Sequence, residues 1–255
     1  MVVKKRNKAI ALNPSLLSAA FEFDQLHLWE ILDFDEAVAF VVPGEEHPVF
    51  ATVMGQAGEE FGMTFTVGPY AVWNLRQLLY PQHSEKRVRE MVSIWGLTLI
   101  RQKDLPPELK RAMKSSPVKR PNGAKVPWVL VKEAGKQARN PTKREQEIIL
   151  YCISGLMKHY KSDGEPPLSL KDAKQILTLT LSGEPNDPEI QSAFRTYAIV
   201  VPDDVTVPTH LPPDAVRHAP RIGGTWIVGF PVIPAKIEGD EREVRLLLVV
   251  DAASG

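Results

Sequence analysis

Cysteine is almost missing from this sequence. Cys152 stands alone, which excludes an internal disulfide, and its place on the apolar face of a helical pattern makes it core filler. No apolar run approaches the ~20 residues of a membrane span. No G-x-S-x-G elbow occurs, and Cys152 has only His159 on its own helical face, two turns on, so nucleophilic catalysis has no visible machinery. Lysine and arginine are absent from the long stretch between Lys8 and Arg76. A signal peptide is suggested by Lys4–Lys8 and the apolar residues after it, but Asn13-Pro14 interrupts that run. Asn13 as helix cap with Pro14 in the first turn is the better account.

What is present is ordinary in amount and uneven in placement. The chain has 255 residues, enough for one large or two modest domains that bury about 70–75% of the unfolded surface. Hydrophobic and charged fractions of 44% and 24% suit a soluble globular protein, and a reducing cytoplasm is the expected compartment. Net charge is zero, yet the acids Glu22, Asp24, Glu30, Asp33, Asp35, Glu36, Glu45, Glu46, Glu59 and Glu60 fill the stretch that has no cations. Between Arg101 and Arg144 the balance reverses, with only Asp104, Glu108 and Glu133 opposing a run of lysines and arginines.

The stretch Ala37–Leu79 organises the chain. Ala37–Val42 is a continuous apolar run, as in a strand covered on both faces. After the Pro43–Glu46 turn, Pro48–Met54 alternates Val49, Ala51 and Val53 against Phe50, Thr52 and Met54. Gly55–Gly58 reverses the chain into a half-buried strand, Phe61–Val67. Pro69 then opens a helix whose Val72, Leu75 and Leu79 face a sheet. The glycines Gly55, Gly58 and Gly62 do not read as a phosphate loop, because they lead into a strand beside Glu59 and Glu60, which would repel phosphate.

Ala20-Phe21-Glu22-Phe23, Leu28-Trp29, Ala37–Val42, Val53-Met54-Gly55, Gly58-Glu59 and Gly68 together resemble a bacterial domain family of unassigned function. Its members begin with an F-E-F helix and a Trp, then a strand, then M-G-x-x-G-E before another strand. The resemblance covers roughly 16–79, with weaker echoes at Val126-Pro127-Trp128 and in 246–255. It implies a fold and no catalytic residues.

Along the rest of the chain, the patterns predict helices over Pro14–Asp24 and Leu26–Leu32, and a helical turn within Ser84–Glu90. A strand follows over Met91–Ile100, with a bulge at Gly96. Asp104–Lys125 carries several prolines and at most a short helix at Glu108–Lys114. A strand is expected at Val126–Lys132. Thr142 and Glu145 have capping-box spacing before a helix reaching Tyr160. Further expectations are a helical turn at Ser169–Gln175, strands at Ile176–Leu181 and Phe194–Val201, and a loop at Gly183–Pro188. A surface segment over Pro202–Pro220 and a strand pair, Gly224–Ile233 with Val244–Val250, complete the reading. The ending at Asp251–Gly255, just after a strand, predicts that the natural chain continues.

Candidate sites are few. His27-x-x-Glu30 has ligand-like spacing, but a zinc site needs three or four converging ligands. His47, His83 and His159 are scattered, and His210 and His218 flank Asp214 in a proline-rich loop. Glu59 and Glu60, as neighbours on a strand, point to opposite faces and cannot easily share acid–base work. Neither a metal nor a cofactor is expected. Lys119, Arg120, Lys125, Arg139, Lys143 and Arg144 could meet nucleic-acid phosphates or an acidic partner, with Trp128 as a stacking platform. The plainer alternative lays that segment against the chain's own acidic half, or leaves it solvated.

The expectation is an α+β protein in which small antiparallel sheets pack with helices in two modules. They are an N-terminal module at 1–103 and a second at 126–255, joined by a basic connector at 104–125. The functional expectation is a bacterial cytoplasmic, non-catalytic module that binds a macromolecular partner, not a membrane. The alternatives are a nucleic-acid binder using 101–144 and an enzyme of unrecognised type.

Overall fold

In the computed structural model, the described residues are 12–58, 60–80, 92–114, 116–171 and 174–202, with the backbone of 226–229, 232–233, 244–245 and 248–251. The expected turn in 84–90 and the proline-rich segment 203–220 lie outside them, as do His83, His210, Asp214 and His218.

The helix α1 spans Pro14–Leu26, and the Asn13 side chain accepts a hydrogen bond from the Ser15 amide as its cap. A 3-10 turn at Leu28–Glu30 stands where a second short helix was expected. Then come the strands β1, Ala37–Val41; β2, Val49–Met54; and β3, Phe61–Thr66. The helix α2, Ala71–Leu79, starts two residues after Pro69, because Gly68–Ala71 first closes a turn. Next are β4, Ile94–Ile100; α3, Pro107–Lys114; and β5, Val126–Lys132. The helix α4, Lys143–Lys161, begins with a complete capping box between Thr142 and Glu145. A long hairpin follows, β6 at Gln175–Glu184 and β7 at Asp187–Thr196. Four short strands, β8 at Trp226–Gly229, β9 at Val232–Ile233, β10 at Val244–Arg245 and β11 at Leu248–Asp251, pair β8 with β11 and β9 with β10.

The strands β1 to β7 form one seven-stranded sheet in the order β5-β4-β3-β2-β1-β6-β7. Every neighbouring pair is antiparallel except β1 and β6, which run parallel. Residues on both sides of 104–125 therefore share one sheet, and that segment links the adjacent strands β4 and β5. The fold is α+β.

Side-chain alternation explains the layers. One row of paired residues crosses all seven strands: Val131, Trp95, Phe65, Ala51, Val38, Leu177 and Phe194. It belongs to the large core closed by Leu16, Ala20 and Phe23 of α1 and by Ile149, Ile153 and Leu156 of α4. The residues between them face the other way, where Ala37, Ala39, Phe50 and Ile176 pack with Val72 and Leu75 of α2. Both faces are covered, so β3 is buried on both sides rather than half-buried; even Thr66 is enclosed, donating to the Ala71 carbonyl at 2.9 Å.

Several local expectations change. Gly96 pairs in unbroken register with Thr64 and Leu130, so it marks no bulge. Gly183–Pro188 is a tight hairpin rather than a loop, since β6 and β7 pair through to Glu184 and Asp187. The last strand of the sheet begins at Asp187 and ends at Thr196, earlier than Phe194–Val201. Of the helical turn expected at Ser169–Gln175, residues 172–173 lie outside the described residues, while Ser169 forms a bridge with Glu36 and Gln175 already belongs to β6. Gly62 is the tightest point: at φ +143°, an added Cβ would sit 1.9 Å from the Leu97 carbonyl oxygen of β4. Only glycine lets these two strands approach so closely.

Candidate interaction surfaces

The Gly55–Gly62 segment is the β2–β3 hairpin, closed by Gly58 N–H donating to the Gly55 carbonyl at 2.9 Å. Its glycine serves packing. A Cβ at Gly55 would lie 2.8 Å from the rings of Trp29 and Phe61. Trp29 is buried edge-on to Phe23 and Phe61, with ring centres at 5.9 and 5.0 Å. The F-E-F helix, the Trp and the M-G turn thus meet in one aromatic cluster. Lys125 caps it, with Nζ 4.8 Å from the Trp29 ring and 4.3 Å from Phe61.

Lys125 also reaches Asp24 of α1. The buried carboxylate accepts from the Lys125 amide at 2.8 Å and from its Nζ at 2.9 Å. This fastens the start of β5 to α1. Arg139 grips Glu145 through two nitrogens, at 2.7 and 2.8 Å, and Glu133 at 3.1 Å. Its bond to Glu145 is the main reason its guanidinium holds its proton more firmly than usual. Hydrogen bonds from Lys136 and Arg139 hold the Glu133 carboxyl below the usual range. Burial works to raise Glu145, but bonds from Arg139 and the Thr142 amide outweigh it. Arg144 donates to Glu45 at 2.7 Å and to the Pro43 carbonyl at 2.6 Å. Lys143 is 88% exposed and only loosely beside Glu147 at 4.0 Å, and Lys119 is exposed on its loop. Of the six basic residues singled out in sequence, Lys125, Arg139 and Arg144 are committed to the chain's own carboxylates.

Cys152 is fully buried, and burial pushes its thiol well above the ordinary range. His159, also buried, has Nε2 at 2.8 Å from the Glu165 carbonyl oxygen. His27 and Glu30 come within 3.3 Å, both exposed. Among the described residues, no three His, Cys, Asp or Glu side chains come together in a way that could hold a metal ion. A cleft of about 570 Å³ runs between α1, α4 and the β6–β7 tip, and ion pairs from Lys158 to Asp187 and Lys161 to Glu22 lie along it.

A different corner was not singled out by any motif. The loop before β1 carries Ile31, 65% exposed, and Phe34, 53% exposed, and the neighbouring strap carries Leu168, 44% exposed. This loop is held firmly. Asp35 accepts from Ser169 Oγ at 2.5 Å and from the Tyr80 hydroxyl at 2.7 Å, and its carbonyl accepts from the Leu170 amide. The Ser169 bond is the largest influence on the Asp35 carboxyl, which lies below its usual range. Glu36 accepts from the Asp33 amide at 2.8 Å, and burial raises its carboxyl. The only sequence signal for this corner is Phe34 set among acids, where an apolar residue has no helical or strand face to occupy.

Among the described residues, no helix is long and apolar enough to cross a membrane. No curated protein matches the chain, and no solved structure matches it. The F-E-F helix, the buried Trp29 and the Met54-Gly55 turn all fall within residues 14–174, which match one family, and the chain belongs to it: a domain of unknown function, DUF7309.

Proposed function

We propose that this protein is a non-catalytic macromolecular interaction module, set in the bacterial cytoplasm, that presents the corner at 31–36 and 168 to a protein partner. The observation that carries the reading is Ile31 and Phe34 held in water on a loop that hydrogen bonds fix. Exposed apolar side chains on a fixed frame lose little entropy when covered, which is what interface anchors need. Glu30 and Asp33 are exposed on the same stretch, so a partner with an apolar anchor and a basic rim fits best. The commitment of Lys125, Arg139 and Arg144 to internal carboxylates favours this reading over the nucleic-acid alternative.

The test compares the full chain with an Ile31→Ser/Phe34→Ser variant as baits in an extract of the source bacterium, retained proteins being quantified by mass spectrometry. A protein lost from the variant by at least about tenfold, the cost of removing an anchor residue, with an unchanged melting profile, supports the reading. An identical retained set sinks it. Fluorescence anisotropy with DNA and RNA oligonucleotides is the second arm: tight binding at low salt that falls steeply as salt rises would put the nucleic-acid function in its place.

A further inference from the structure

We propose that two copies of this chain associate through β7, edge to edge and antiparallel, about a two-fold axis at Ser192, so that the seven-stranded sheet continues into a second copy. β7 is the last strand of the sheet, and among the described residues nothing pairs with its outer edge. It is ten residues long, and each residue from Asp187 to Thr196 has a partner in β6, with no bulge. Proteins usually blunt such an edge with lysine, proline, a bulge or a short strand. β7 has no lysine, and its proline, Pro188, stands near its start, away from the centre.

The strand is self-complementary in one register. A two-fold axis perpendicular to the sheet keeps each face continuous, so residues facing each other across the axis must point to the same side. Centring on Ser192 sets Glu189 opposite Arg195 and Ile190 opposite Phe194, each pair occurring twice. Centring on Gln191 sets Glu189 against Ala193 and Ile190 against Ser192; it also brings Arg195 to Asp187, which already holds Lys158 at 2.8 Å. Centring on Ala193 sets Arg195 against Gln191, Ile190 against Thr196 and Phe194 against Ser192, so it forms neither an ion pair nor an apolar pair. Only the Ser192 centre matches both charge and apolarity.

It also completes a feature of the fold. The apolar row that crosses the sheet ends at Phe194, which with Ile190 packs half-buried against the core under α4. In the dimer, Ile190 of the second copy extends that row.

The experiment uses the full chain in sedimentation velocity over a range of concentrations. Wild type is expected to pass from monomer to dimer. Glu189→Arg and Arg195→Glu each place like charges opposite each other twice, and each is expected to weaken association by about tenfold or more. Mixing the two variants in equal amounts is expected to restore a dimer, because every cross-strand pair is then of opposite charge. Within one chain these residues lie about 20 Å apart along the strand, so recovery on mixing reports pairing between copies. A wild type that stays monomeric at all concentrations overturns the proposal, whether or not the chain's own later residues cover the edge. So does a dimer indifferent to both substitutions, or one not restored by mixing.

Discussion

The two edges of the sheet are built differently. At the β5 edge, Pro127 offers no N–H, and Val131 exchanges hydrogen bonds of 2.9 and 2.8 Å with Arg139 on the returning chain. Leu105 and Leu109 pack beside Val126 and Trp128, and Lys125 ties the strand's start to α1. At the β7 edge, only the start of the strand is held, by Pro188 and by Lys158 of α4 reaching Asp187 and the Pro188 carbonyl, and among the described residues no strand pairs with the rest. The sealed edge uses the basic segment that made the sequence unusual: Lys125 and Arg139 serve architecture. Charge segregated along a chain can therefore be spent in part on fastening its halves together.

The largest expected effect comes from loosening the sealed edge. Lys125→Met keeps the stem over Trp29 and Phe61 but leaves the buried Asp24 carboxylate with only a backbone donor. Breaking an enclosed ion pair from one side costs about 3 kcal/mol, read as a lower urea midpoint with unchanged slope. The matched change at the open edge, Ser192→Ala, is expected to stay within about 0.5 kcal/mol, as for exposed sites without special contacts. Equal effects at the two positions would erase the distinction.

Local chemistry made much of the fold legible. Asn13-Pro14 and Thr142-x-x-Glu145 declare their helix starts without any tertiary information, because each cap is closed within one turn. Val49, Ala51 and Val53 mark the core face of β2 because strands alternate. β7 was not legible. As an edge strand with many exposed residues it carries no clean apolar alternation, and Gly183, Pro185 and Pro188 around its turn speak for a loop. The parallel contact of β1 with β6 was hidden too, since it joins Val38 to Leu177 across α4 and much of the sheet. The six basic residues show the same limit. Composition reveals an acidic half and a basic stretch, but that Asp24 takes Lys125 and Glu45 takes Arg144 depends on the packing of α1 and α4.

The Arg139 clasp gives a middle-sized effect with a definite pH sign. Glu133 and Glu145 hold their protons less firmly folded than unfolded. The unfolded chain therefore binds more protons as acid is added. The clasp's stability is fully present above the ordinary glutamate value, about 4.3, and is lost as pH falls below it. Asp35 acts in the same sense, while Glu36, raised by burial, acts in the opposite one. Arg139→Met is expected to cost about 1–2 kcal/mol at neutral pH, discounted because the pair is partly exposed. It should also flatten the fall in stability between neutral and acid pH. The same acid slope in wild type and variant would show that the clasp does not carry it.

The smallest expected effect is in single amides, and it separates the edges without altering either. An antiparallel strand with one neighbour points alternate N–H groups outward. Along β7 at low protein concentration, hydrogen exchange should therefore alternate residue by residue, with outward amides exchanging at least about tenfold faster than inward ones. At β5 the alternation should fail at Val131, whose outward amide is held by Arg139, and Arg139 itself should be protected although it lies in no strand. Raising the concentration should slow the outward amides of β7 near Ser192 and leave Val131 and Arg139 unchanged, because only the open edge has a second copy to gain. Uniform protection along β7 at the lowest concentration would mean that the edge is already covered within one chain, and the contrast between the two edges would disappear.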